Sequence, residues 1–195
     1  MNDDENSGAE SGEAGERDAP HQDDARAFPI VAVGASAGGL KACRDFLRAL
    51  PADAGVAVVT VSHPDPSNPG IRADLLGEST RISVHEARDG DRLAPGHVHV
   101  IPPGVFLRVE AGRLRLDRPQ QGELIRRPLD MFLRSLARDA GQRANCVILS
   151  GRGDDGSEGL LHVHAAGGLV LVQDPTRRSS PTCRRRPSPR GWSMR

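Results

Sequence analysis

The sequence predicts an α/β fold, namely a mostly parallel, doubly wound (Rossmann-like) sheet with an inserted antiparallel β-hairpin region. Continuous apolar runs, typical of strands buried on both faces, alternate with amphipathic stretches of helical spacing. From about residue 81 to 118 the pattern changes to short alternating segments joined by turns such as Pro103-Gly104 and Ala111-Gly112. Such segments are typical of antiparallel hairpins, so the insertion is predicted there.

Each predicted element follows from its own stretch of sequence. The parallel strands are predicted at the runs PIVAV (29–33), GVAVVTV (55–61), CVILS (146–150) and GLVLVQ (168–173). Helices are predicted at 40–50, 129–140 and 157–166, where apolar side chains recur at helical spacing. The hairpin region contains RISVHEA (81–87), HVHVIP (97–102), VFLRVE (105–110) and RLRLD (113–117).

The two ends of the chain differ from the domain between them. Residues 1–27 hold nine acidic and two basic side chains and almost no large apolar residue, so this segment is predicted to be disordered. Residues 176–195 hold seven arginines and no acidic residue, and they show no periodicity. A disordered Arg/Ser/Pro-rich tail and a change of reading frame near Pro175 both remain open. The folded domain is therefore predicted at 28–175.

Composition excludes several classes of protein. The formal net charge is zero, and residues 28–175 hold 17 side chains of each sign, which argues against a nucleic-acid-binding face. The acidic start carries no secretory signal pattern, and no apolar run approaches the roughly 20 residues of a membrane span. The three cysteines are scattered, without disulfide or zinc spacing. A cytoplasmic location with reduced thiols is predicted, without membrane insertion.

A serine, a histidine and an aspartate follow the ends of three predicted parallel strands. Ser36 follows IVAV, His63 follows VAVVTV, and the pair Asp154 and Asp155 follows CVILS. Because ligands bind outside the carboxyl ends of parallel strands, these side chains are expected to meet at one edge of the sheet. Nucleophile, base and orienting acid are the three parts of a serine hydrolase site.

The loop around Ser36 fits the nucleophile of such a site. The segment GASAG (34–38) satisfies the G-x-S-x-G elbow pattern, in which glycines relieve crowding around the serine. His63 would take the serine proton, and an aspartate would orient the imidazole. The backbone N–H of Ala37 is the first candidate oxyanion donor. For Asp155 the alternative role is capping of the helix that begins near Gly156.

Nucleotide and metal sites are weaker interpretations of the same residues. Ser36 stands where a dinucleotide fingerprint needs its middle glycine, and no Walker lysine follows. His97 and His99 would share one face of a strand, but no third ligand is evident, so neither a metal nor a cofactor is assigned.

The segments VAVGASAGGL, VSHPDP, RPLDMFLRSLARDAG and VILSGRGDDGSEGL together resemble the catalytic domain of CheB-type protein-glutamate methylesterases. The resemblance covers about 28–175 and keeps the order Ser, His, Asp, whereas an α/β-hydrolase has Ser, Asp, His. It implies hydrolysis of glutamate methyl esters on chemoreceptors, with glutamine deamidation as a related activity. It also implies that Ser36 is the nucleophile, His63 the base and Asp155 the orienting acid, with oxyanion N–H groups from Ala37 and Arg152.

The chain departs from the family pattern at Ala37 and Arg152, where threonine and methionine are common, and in two longer segments. Its SHPDP loop is most similar to the esterase domains of fusions with methyltransferase and sensor-kinase modules, which are therefore further expected partners. After VQDP the family continues through a Met-Pro-containing loop, a helix and a strand, none of which is visible in TRRSSPTCRRRPSPRGWSMR. The alternative function is accordingly a catalytically impaired remnant, or a binding or regulatory module of the same fold.

Overall fold

The computed structural model describes residues 28–35, 39–62, 71–119, 127–149 and 154–174. Its strands are β1 (Ile30–Ala35), β2 (Ala57–Ser62), β3 (Ser83–Glu86), β4 (His97–Val100), β5 (Phe106–Glu110), β6 (Arg113–Asp117), β7 (Ala144–Ile148) and β8 (Val170–Val172). Its helices are α1 (Gly39–Ala49), α2 (Ala73–Gly77), α3 (Pro128–Ala140) and α4 (Ser157–Ala165). The two ends of the chain, which the sequence predicts to be disordered, lie outside the described residues.

Six of these strands form one sheet in the order β3-β4-β2-β1-β7-β8, and every pairing within it is parallel. The predicted fold class is therefore confirmed. The four apolar runs became β1, β2, β7 and β8, and the three predicted helices became α1, α3 and α4. The short helix α2 was not predicted.

Both faces of the sheet are covered, which explains the continuous apolar character of its central strands. Alternate residues of β1 and β2 pack on one face against α3, α4 and the β5–β6 pair. The remaining residues pack on the other face against α1 and α2, around Cys43 and Leu47. A strand between two such layers has no solvent face and therefore shows no alternation.

The extent of the antiparallel insertion is smaller than the sequence predicts. Within the described residues, the antiparallel strands are β5 and β6, and Arg92 and Arg113 form an isolated antiparallel bridge beside them. The segments 81–87 and 97–102 supply β3 and β4, which are parallel strands of the main sheet, so their assignment to the hairpin region is wrong. They alternate because β3 is a half-exposed edge strand and because β4 carries valines toward one face and histidines toward the other.

Cys43 and Cys146 are free and buried in the core. Burial raises the pKa of the Cys43 thiol to about 12 and raises the pKa of Cys146 further. Neither thiol therefore has the thiolate character that a nucleophile or metal ligand requires. No helix within the described ranges has the length and apolar character needed to cross a membrane.

Candidate active site

β2, β1 and β7 are consecutive strands in the middle of the sheet, and their carboxyl ends lie side by side. β1 lies between the other two, with Ala35 in register with Ser62 of β2 and Gly34 in register with Ile148 of β7. From β1 the chain adds β2, β3 and β4 on one side, with β3 at the edge, and then crosses back to add β7 on the opposite side. This reversal is the topological switch point at which parallel sheets bind their ligands.

Ser36 and His63 are the residues that directly follow β1 and β2. Both lie outside the described residues, as do Ala37 and Arg152, so their roles remain predictions. The described residues fix where each loop begins. Since Ala35 and Ser62 are register partners, the loops of Ser36 and His63 leave the sheet from adjacent strands, which are about 4.8 Å apart.

Asp155 lies in the turn between β7 and α4, and its carboxylate binds the first turn of α3. One carboxylate oxygen accepts the backbone N–H of Leu129 at 3.2 Å, and the other accepts that of Asp130 at 3.1 Å. Because Pro128 has no N–H, these two groups are the first donors of the helix. Asp155 thus caps α3 from a distant part of the chain, whereas the sequence suggested capping of α4 as its alternative role.

The hydrogen bonds that Asp155 accepts from α3 distinguish it from the adjacent Asp154. The side chain of Asp154 is 60% exposed, and its carboxylate lies 3.9 Å from the Arg127 guanidinium. The Asp155 carboxylate, in contrast, is held at both oxygens, and the positive end of the α3 dipole stabilises its negative charge. A carboxylate oxygen can accept more than one hydrogen bond, so these contacts are compatible with one from an imidazole N–H.

Asp130 completes a reciprocal arrangement between the two helices. This carboxylate, 4% exposed, accepts the backbone N–H of Gly159 in the first turn of α4 at 2.6 Å. Each helix therefore receives a carboxylate from the other segment, Asp155 on α3 and Asp130 on α4. Sequence reasoning missed this pairing, for which the only local signal was the glycine at 159 inside a helical pattern.

Arg127 links the two helix starts. Its guanidinium lies 2.8 Å from the Asp130 carboxylate and 3.4 Å from that of Glu158, and it donates to the carbonyl of Asp154 at 3.3 Å. Its backbone is left-handed, with φ +56°, which is uncommon for a residue with a side chain. We refer to Arg127, Asp130 and Asp155 as the helix seam, because together they fasten the α4 turn to the start of α3.

Leu129 packs closely against Gly34 and Gly156. A Cβ atom at Gly34 would lie 2.6 Å from Leu129 Cδ2 and 2.8 Å from Ile148 Cδ1. A Cβ atom at Gly156, where φ is +96°, would lie 2.7 Å from the same Leu129 carbon. Gly34, the first glycine of GASAG, therefore makes room for Leu129 of α3 at the end of β1, a role that the elbow pattern alone does not indicate.

The histidines of β4 have more neighbours than the sequence indicated. His99 is 3% exposed, and its Nδ1 lies 3.0 Å from Nε2 of His85 and 3.8 Å from a carboxylate oxygen of Asp91. Burial and then the nearby His85 lower the pKa of His99 to about 4. The sequence pattern paired His99 with His97, whereas in the structure the potential ligand atoms beside His99 belong to His85 and Asp91.

Comparisons with known proteins point to one family. A family model described as CheB methylesterase matches residues 31–183. A relative from Pseudomonas aeruginosa, named protein-glutamate methylesterase/protein-glutamine glutaminase 2, is 41% identical over 149 residues, which are 74% of this chain and 42% of the relative. A relative of the same name from Xanthomonas oryzae pv. oryzae is also 41% identical over 149 residues, which are 41% of its length. The chain thus spans less than half the length of these relatives.

A solved structure of the family has the same fold. The catalytic domain of the CheB methylesterase of Thermotoga maritima superimposes with a TM-score of 0.62 at 29% sequence identity. The match covers 73% of this chain and 78% of that domain.

Proposed function

Since the chain belongs to the CheB methylesterase family, we propose that it is a serine hydrolase that removes methyl esters from glutamate side chains of methyl-accepting chemoreceptors. Deamidation of receptor glutamines is the related activity, in keeping with the paired names of the relatives. The observation that carries the proposal is the Asp155 carboxylate, held at both oxygens beside the strand ends from which Ser36 and His63 follow.

In the proposed reaction, the Ser36 hydroxyl attacks the ester carbonyl carbon while His63 takes its proton. The N–H groups of Ala37 and Arg152 stabilise the oxyanion of the tetrahedral intermediate. When this intermediate collapses, His63 returns the proton to the leaving methoxide and methanol departs. Water, deprotonated by His63, then cleaves the acyl-enzyme to give the glutamate carboxylate and free serine. With a glutamine substrate, the leaving group is ammonia.

The fold supports two parts of this mechanism. The fixed Asp155 carboxylate is suited to hold one imidazole tautomer and to stabilise the imidazolium that forms during the reaction. Helix α1 begins at Gly39 beyond the end of β1, so its N-terminus favours negative charge near the predicted oxyanion site. The proposed setting is the cytoplasm, where receptor signalling helices are the substrate and methyltransferase and sensor-kinase modules are further partners.

The test is methanol release from a methylated receptor signalling fragment, measured for the purified chain and for variants. Ser36→Ala is expected to abolish release, and Asp155→Asn to lower it about 10⁴-fold, the effect of turning an orienting carboxylate into an amide. Asp154→Asn is the matched control, and it should change the rate by less than about threefold because its side chain is exposed.

Folding is followed by circular dichroism in the same samples, because Asp155 also caps α3. If the Asp155→Asn variant loses activity only in proportion to its unfolded fraction, its role is structural and the triad is wrong. If the folded parent chain releases no more methanol than Ser36→Ala, the esterase proposal fails and the non-catalytic module remains.

A further inference from the structure

A second polar cluster lies on the sheet away from the strand ends. His85 of β3 and His99 of β4 are register partners, and Asp91 lies in the connection between these two strands. We refer to His85, Asp91 and His99 as the histidine cluster. His99 is also level with Val59 of β2, three residues before Ser62, so the cluster is separate from the predicted triad.

The distances within the cluster match those between ligands of one metal ion. His85 Nε2 and His99 Nδ1 are 3.0 Å apart, and His99 Nδ1 and Asp91 Oδ2 are 3.8 Å apart. All three donor atoms lie within 4.8 Å of one another. For tetrahedral zinc with bonds of about 2.0 to 2.1 Å, neighbouring ligand atoms are about 3.3 Å apart. The observed separations lie on either side of that value.

The donors are held in place by the surrounding fold. The Arg88 backbone N–H donates to Asp91 Oδ2 at 2.8 Å, which orients the carboxylate and leaves a lone pair on that oxygen. The Asp91 carbonyl accepts the N–H of Leu114, and the N–H of Gly90 donates to the carbonyl of Leu114, both at 2.8 Å. Strand β6 thus fixes the connection that carries the carboxylate, and only small movements are needed to close around an ion.

We propose that His85, Asp91 and His99 bind one Zn²⁺ ion through two imidazoles and one carboxylate, with the fourth position open to water. Imidazole nitrogens with a carboxylate are a usual donor set for zinc. The bound ion joins the edge strand β3 to β4 and to the connection above them, so it stabilises the outer part of the sheet. Neither the predicted esterase reaction nor the family match assigns a role to these residues.

The histidine cluster is expected to bind Zn²⁺ with moderate affinity. Ligating histidines usually donate their second ring N–H to an acceptor, and losing such an outer partner weakens metal binding about 10- to 100-fold. Nε2 of His99 is buried and has no hydrogen-bond partner among the described residues. The site is therefore expected to bind zinc more weakly than a structural zinc site whose histidines have acceptors.

The test is a calorimetric titration of ZnCl₂ into the full chain after treatment with a chelator. One ion per chain is expected, and Co²⁺ at the same site should give the visible absorption of four-coordinate cobalt. His85→Gln and Asp91→Asn should each weaken binding more than about 100-fold, because they remove ligands rather than outer partners. Asp91→Asn keeps an oxygen that can accept the Arg88 N–H, so it is the variant that disturbs the fold least.

Two further histidines serve as controls. His162 lies on the exposed side of α4, and His162→Ala should leave the dissociation constant unchanged within about twofold. His97 lies beside the cluster, with its ring centroid 5.5 Å from that of His85, and His97→Ala should also leave binding intact. Absence of zinc binding by the parent chain at millimolar ZnCl₂ would overturn the proposal. So would unchanged binding in His85→Gln and Asp91→Asn, or an equal loss in His97→Ala.

Discussion

The helix seam and the histidine cluster lie against the same parallel sheet, but they are stabilised differently. In the seam, Asp130 and Asp155 accept backbone N–H groups from the first turns of two helices. In the cluster, side chains face one another, and two of the three are imidazole rings. The seam is therefore stable without any added ligand, because fixed backbone dipoles compensate its charges. The cluster instead holds three potential ligand atoms close together, and its two imidazoles contact each other directly.

The largest loss of stability is expected when the buried carboxylate of Asp130 in the helix seam is removed. Asp130→Ala leaves the Gly159 N–H without its acceptor and Arg127 without its closest anion. We expect the free energy of unfolding to fall by about 3 kcal/mol, measured by urea denaturation. Asp154→Ala removes an exposed carboxylate and is the control. It should lower the free energy of unfolding by less than about 0.5 kcal/mol. Equal losses would show that the seam is not a special source of stability.

A smaller effect is expected where α3 and α4 approach each other. In Gly159→Ala the new methyl group would lie 2.6 Å from Leu133 Cβ and 3.1 Å from Asp130 Cα, so the helices must separate. We expect a loss of about 2 kcal/mol in the same urea assay. Gly77→Ala is the matched control, since its nearest contact would be Val84 Cβ at 3.9 Å. That variant should be neutral or slightly stabilised, and a similar loss in both would contradict close packing at the seam.

The backbone of Arg127 gives a still smaller effect. Arg127→Ala and Arg127→Gly both remove the guanidinium contacts, but only glycine adopts φ +56° without steric cost. We therefore expect Arg127→Gly to be more stable than Arg127→Ala by about 1 kcal/mol. The two unfolding curves measured side by side give this difference directly. The reverse order would show that the left-handed conformation is not maintained in solution.

The smallest effect is expected in the histidine cluster without metal. In chelator-treated protein, Asp91→Asn should change the free energy of unfolding by less than about 0.5 kcal/mol, because the amide oxygen can still accept the Arg88 N–H. With saturating ZnCl₂ the parent should gain stability while the variant should not. A large loss of stability in Asp91→Asn without zinc would show that the cluster stabilises the metal-free fold, as the helix seam does.

The sequence predicted the outline of the sheet, and its prediction for the site rests on the same patterns. Continuous apolar runs identified the central strands, and the rule that ligands bind at strand ends predicts that Ser36, His63 and Asp155 lie at one edge. The described residues confirm that β1, β2 and β7 are neighbours in register. Both inferences needed only local patterns together with the fixed geometry of parallel sheets.

The contacts of Asp155 could not be predicted from local sequence patterns. Its partners, Leu129 and Asp130, precede it by a whole helix and a strand, so the contact depends on how α3 and α4 pack. The approach of His85 to His99 likewise depends on a parallel register between two strands that were predicted to be antiparallel. Periodicity reports which residues share a face of one strand, but it does not report which strands are adjacent.

The central claim, that Ser36 is an activated nucleophile served by His63 and Asp155, is tested most directly by covalent labelling. The folded chain is treated with a fluorophosphonate, and the modified peptide is identified by mass spectrometry. One adduct is expected, on Ser36, and it should form far more slowly in His63→Ala and Asp155→Asn but at the parental rate in Asp154→Asn. No adduct on Ser36 in folded protein, or an adduct whose rate is unchanged in His63→Ala, would contradict it.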